Sequence, residues 1–168
     1  MSSSMSDYMA GEAVKNMFLT LGSNPLFGIL IGIVVTGVMQ SSSASVGVLQ
    51  TLSGFGVVNA PTAVFICLGA DIGSCFTALI SSAGVSKNAK RAAFVHLYFN
   101  IIGSALFMAL FYGINAFAQF AFMDMAANEM GIAIVHTTFN VLATLVLLPF
   151  SDILVKLATL TVLSLIHI

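Results

Sequence analysis

Four consecutive polar residues, Gln40-Ser41-Ser42-Ser43, interrupt a long stretch that carries no charge between Lys15 and Asp71. Serine hydroxyls donate hydrogen bonds. So do the free N–H groups at the start of a helix, where about half a positive charge gathers. Ser41, Ser42 and Ser43 at the head of a helix therefore have the makings of an anion site. Gln40 would end the preceding helix, where spare carbonyls and a partial negative charge can hold a cation. Discontinuous membrane helices in transporters use both ends in this way. The plainer alternative is that the serines only cap a helix. Four polar residues inside apolar sequence then cost several kcal/mol unless they are satisfied.

Asp71 is the only acid inside an apolar segment, flanked as Gly69-Ala70-Asp71-Ile72-Gly73. An ionisable residue within a membrane is a functional candidate by default. It could bind sodium, carry a proton or bond to nearby backbone. Ser74 and Thr77 follow it and offer hard oxygen ligands. His96 and Asn100, and again His136 and Asn140, share a His-x-x-Phe-Asn pattern that puts each pair on one helix face. They are read as polar residues stitching helices together, with a ligand role as the alternative. Cys67 and Cys75 lack metal or redox spacing and read as small buried hydrophobes. There is no phosphate-cradling Gly-rich loop, Cys/His cluster or nucleophile elbow, so the reading is not an enzyme.

The elements that must position these residues follow from composition. The chain has 168 residues, 59% hydrophobic and only 7% charged, against about 25% charged in soluble domains. A Met-rich soluble bundle would need a polar stripe on each helix, and 92–119 and 131–148 have none. The fold class is therefore an all-α integral membrane protein whose first partner is the lipid bilayer. A net charge of -1 gives no basic surface for nucleic acid.

Residues 1–20 read as an interfacial helix. Pro25 to Met39 gives roughly 22 Å of helix, too short for a ~30 Å hydrocarbon core. Val46 to Phe55 is short too, so 25–58 reads as a re-entrant hairpin with the serines at its tip. Such backbone is tolerated at membrane depth only where protein or a cavity surrounds it. A helix over 61–83, broken at 69–73, and two spans, 92–119 and 131–148, complete the bundle. Lys87, Lys90 and Arg91 place loop 84–91 in the cytoplasm, while Asp124 and Glu129 place loop 120–130 outside. The hairpin then opens outward, and 151–162 begins a cytoplasmic segment.

Gln40-Ser41-Ser42-Ser43-Ala44, then Leu68-Gly69-Ala70-Asp71-Ile72-Gly73-Ser74, then His-x-x-Phe-Asn: in this order the motifs resemble the sodium-dependent (type II) phosphate cotransporter family. The resemblance covers roughly 20–150. It implies one half of an inverted-repeat transporter in the cell membrane, performing sodium-coupled phosphate symport. It implies inorganic phosphate at Ser41, Ser42, Ser43 and Ala44, and sodium at Gln40, Ser42, Asp71, Ser74 and Thr77. The backbone of Gly69 and Gly73 would line the same cavity. No cofactor is expected beyond Na+ as coupling ion.

Two departures stand out. The family pattern GxNIGT has Asn and Thr where this chain has Asp71 and Ser74, and an ionised Asp71 repels phosphate unless a cation intervenes. Only one repeat is present. Its wording resembles the second repeat of bacterial members, so a first repeat is expected as partner, with a PhoU-like cytoplasmic domain beyond. Met1 is expected to be an internal methionine. Residues 163–168, LSLIHI, read in frame as the transposase adapter CTGTCTCTTATACACATC, an expected artefact. The alternatives to symport are a phosphate-sensing membrane subunit and a sodium-coupled transporter of another small anion.

Overall fold

The computed structural model describes residues 24–56 and 58–164. The expected interfacial helix over 1–20 lies outside them. The first helix, α1, runs Pro25–Met39. Asn24 caps it by accepting from the Leu26 N–H at 3.0 Å, and Pro25 fits a position whose N–H has no helical acceptor. Gln40 ends it in the left-handed region, φ 56°, and its N–H bonds the Thr36 carbonyl at 2.6 Å. The chain restarts at once as α2, Ser42–Gly54, capped by Ser41. Two short helices thus meet at residues 40–41, as the polar break required. Gly56, at φ +68°, turns the chain out of α2.

Three long apolar helical stretches follow, each able to cross a membrane by length and composition: Ala60–Ser82, Lys87–Ala118 and Glu129–Leu163. We call them α3 (Ala60–Ser82), α4 (Lys87–Ala118) and α5 (Glu129–Leu147), the last followed by a 3-10 turn and α6 (Ser151–Ser164). Asn59, Ser86 and Asn128 cap α3, α4 and α5 through their side chains. The loop before α5 is tied to the start of α3: Asn59 and Ala126 form an antiparallel bridge, and the Ala127 N–H bonds the Val58 carbonyl at 3.0 Å. The starts of α3 and α5 therefore lie at one end of the bundle.

The expected break at 69–73 is absent, and α3 is continuous through it. The two glycines were expected to line a cavity with their backbone. They are buried where α1 lies against α3. A Cβ on Gly69 would collide with the Ile29 carbonyl, and one on Gly32 with the Ile66 carbonyl. A Cβ on Gly73 would come within 2.7 Å of the Ile33 carbonyl, and one on Gly28 within 2.6 Å of the Phe65 Cβ. The contacts advance together, 28 with 65, 32 with 69 and 36 with 73, so α1 and α3 run in the same direction. Small residues on both faces let the backbones touch, as in membrane helix pairs. Close packing accounts for these glycines without a broken helix.

α2 returns along the opposite sense. Val46, Leu49 and Leu52 pack with Ala63, Ile66 and Cys67 of α3 and Ile132 of α5. Near its far end, Gln50 Nε2 donates to the Glu129 carbonyl at 3.0 Å. On the other side of α3, Val64, Phe65 and Leu68 meet Phe139 and Ala143 of α5, with Phe99 and Phe107 of α4 packed against them. The Phe107 and Phe139 rings stand edge to face, centroids 5.5 Å apart, a favoured aromatic geometry.

Residues 151–162, expected to begin a cytoplasmic segment, are helical. They form most of α6, which lies along α4 with Leu154, Ala158 and Val162 buried. Tyr98 Oη and Thr161 Oγ1 are 2.6 Å apart. The outer face, Ile153, Leu157 and Leu160, is apolar and exposed, so the segment suits the bilayer. Of residues 163–168, Leu163 and Ser164 finish this helix and the rest lie outside the described residues.

Candidate functional site

The tip between α1 and α2 is built from two helix ends facing a two-residue break. Ser41 Oγ accepts from the Ala44 N–H at 3.3 Å, which uses that donor for the cap. The Ser42 and Ser43 N–H groups, as the first two of α2, have no helical acceptor. Their hydroxyls make no hydrogen bond among the described residues. Ser43 is exposed and Ser42 partly so. Ser45 belongs to the inside of the turn, donating to the Ser41 carbonyl at 3.1 Å. Two backbone and two hydroxyl donors thus stand open at the positive end of α2. Opposite them is the negative end of α1, with the exposed Gln40 side chain. The tip can offer donors to an oxyanion and oxygens to a cation within one turn of chain.

Asp71 is 5% exposed and points to α5, not to the tip. His136 Nε2 lies 3.0 Å from its Oδ1, and Asn140 Nδ2 donates to its Oδ2 at 3.2 Å. Both carboxylate oxygens are therefore occupied. Ser74 Oγ donates back to the Asp71 carbonyl at 2.7 Å. Thr77 is exposed. Of the five expected sodium ligands, Asp71 and Ser74 are joined to each other, and Gln40 and Ser42 lie at the tip. No hydrogen bond connects the two groups among the described residues.

The two His-x-x-Phe-Asn motifs grip α3 one turn apart. Asn140 also donates to the His136 carbonyl at 2.9 Å, and Asn100 to the His96 carbonyl at 3.1 Å. Each asparagine then reaches α3, Asn140 at Asp71 and Asn100 at Cys75 Sγ, 3.2 Å away. The histidines differ. His136 bonds Asp71, whereas His96 is exposed and its side chain bonds nothing among the described residues. Cys75, read as a small hydrophobe, is buried but is also a polar partner. Its spacing of four from Asp71, matched to the repeated motif, was the signal that could have found it. Thr36 is a further surprise, fully buried against Gly73 with an unpartnered hydroxyl.

Comparison with known proteins follows the same lines. The family model described as Na+/Pi-cotransporter matches residues 1–148. The chain is 31% identical over 158 residues to the Bacillus subtilis protein named "Uncharacterized protein YqeW", covering 89% of this chain and 50% of that protein. It is 27% identical over 150 residues to the "Putative inorganic phosphate export protein YjbB" of Escherichia coli, covering 84% and 25%. With the human "Sodium-dependent phosphate transport protein 2B" it shares 35% over 98 residues, covering 55% and 14%. The chain thus spans about half or less of the length of these curated relatives. No solved structure matches it.

Proposed function

Because the chain belongs to the Na+/Pi-cotransporter family, we propose that it carries one of two halves of the site for sodium-coupled symport of inorganic phosphate across the cell membrane. The observation that carries this reading is the hairpin tip. Ser42 and Ser43 present open donors at a positive helix end, within one turn of the negative end of α1. Phosphate takes the serine side and sodium the Gln40 side, each cancelling part of the other's charge. A second such tip, from the preceding repeat, completes the site. The loop before α4 faces the cytoplasm.

The test uses the full-length protein in proteoliposomes. Ser42→Ala abolishes sodium-driven uptake of radiolabelled phosphate, while undiminished uptake would overturn the assignment. A panel of sulfate and dicarboxylate competitors checks the anion, and phosphate binding without sodium-dependent accumulation would favour a sensor.

The name of the Escherichia coli relative, a putative inorganic phosphate export protein, favours a second reading in which net movement is outward. Preloaded vesicles decide between the two. Efflux that proceeds without a sodium gradient favours export.

A further inference from the structure

Three of the chain's five basic residues, Lys87, Lys90 and Arg91, fall within the first turns of α4, and no acid occurs between Asp71 and Asp124. His136 and Asp71 form the only basic-residue-to-carboxylate contact among the described residues, so none of these cations has a carboxylate partner among them. Lys87 is exposed, and Lys90 and Arg91 are half-buried. Arg91 has five N–H donors, yet its sole acceptor among the described residues is Asn88 Oδ1, 3.4 Å from Nη1. Its Nε is shut away from the surface without any partner. The same end of α4 adds its dipole, and the N–H groups of Lys87 and Asn88 lack helical acceptors. Just beside it, Ile80 at the end of α3 and Val85 in the turn are 65% and 56% exposed.

We propose that this end of α4 is a binding site for the phosphate headgroup of an anionic phospholipid. The cations and free N–H groups hold the headgroup oxygens, and Ile80 and Val85 meet the upper acyl chain. A free phosphate ion shares the headgroup chemistry but gains nothing from the apolar flank, so the lipid is the occupant. α4 is apolar and long enough to span from this point, which puts the cluster where headgroups lie.

The test is lipid retention, which needs no transport. The full chain is reconstituted in phosphatidylcholine containing a minor fraction of phosphatidylglycerol, extracted gently, and its bound lipids are counted by native mass spectrometry. Selective retention of phosphatidylglycerol is expected. It falls at least about tenfold in K87Q/K90Q/R91Q, given that each basic residue at a membrane surface attracts anionic lipid independently. Lys156→Gln, which removes an exposed cation from α6, leaves retention unchanged. Equal retention of both lipids would overturn the proposal, as would an equal loss in Lys156→Gln. So would displacement of the lipid by millimolar inorganic phosphate, which would identify a free-ion site. If the triple variant aggregates, Lys87→Gln and Lys90→Gln decide singly: each lowers retention several-fold, or the proposal fails.

Discussion

His136 Nε2 lies 3.0 Å from Asp71 Oδ1, joining α5 to the middle of α3 across a contact in which the carboxylate side chain is only 7% exposed. Asn140 holds the other oxygen. A carboxylate buried this far into apolar sequence persists only with its partners in place. Deleting one partner leaves the charge uncompensated, at a cost of about 3–5 kcal/mol. His136→Leu is therefore expected to lower the unfolding temperature in detergent sharply, with His136→Gln, which keeps a donor, in between. Equal melting of the Leu and Gln variants would show that the bond contributes nothing.

The matching motif on α4 gives the opposite expectation for its histidine. His96 is exposed and its side chain makes no bond to α3, so His96→Ala should change stability by less than about 0.5 kcal/mol. Asn100→Leu removes the donor to Cys75 and to the His96 carbonyl, costing about 1–2 kcal/mol. Thermal melts of the two single variants check this. A larger loss in His96→Ala would mean that the two motifs work alike.

Glycine substitutions separate seam from surface. Gly69→Ala drives a methyl into the Ile29 carbonyl, and overpacking of this kind costs about 1–3 kcal/mol. Gly113 on α4 has nothing within 4 Å of a built Cβ, so Gly113→Ala should be neutral or stabilise by up to about 1 kcal/mol. Comparable melting of the two variants would contradict the close α1–α3 packing.

At the tip, capping and anion binding can be pulled apart at Ser41. Aspartate is as good an N-cap as serine, while alanine costs about 1 kcal/mol. Ser41→Asp should thus keep the wild-type melting temperature yet lose phosphate transport, because its charge repels the anion. Ser41→Ala should melt lower and retain part of the activity. Intact uptake in the aspartate variant would remove the anion from the tip.

Much of the hairpin was legible because its signals are local. Asn24 and Pro25 mark a helix start, and Pro25–Met39 is too short to span. The polar run falls where two helices end and begin. The spans were legible as charge-free lengths, and α4 and α5 lie close to the expected 92–119 and 131–148. The site was legible only as residue types. Nothing in the spacing of Asp71 and His136 says that they meet, since 65 positions separate them.

The expected break in α3 failed because of packing. Glycines around Asp71 suggested a break because glycine weakens an isolated helix by about 1 kcal/mol. Packing against α1 offsets that cost, and the helix continues. Residues 151–162, expected to begin a cytoplasmic segment, form most of α6, which finds a surface on α4 to cover with Leu154, Ala158 and Val162. Intrinsic propensity is a weak signal that a neighbouring helix can override, and neighbours are not written in the local sequence.

By itself, then, the sequence determined the solvent, the lengths of the helices and the place of the polar break. Each of these depends on composition and on residues a few positions apart. Only the tertiary structure decided that Gly69 and Gly73 are a seam, that Asp71 is spoken for by α5, and that the serine donors at the tip remain open. Those outcomes depend on which faces of distant helices come together, and that is set by long-range packing and hydrogen-bond satisfaction rather than by any one stretch of chain.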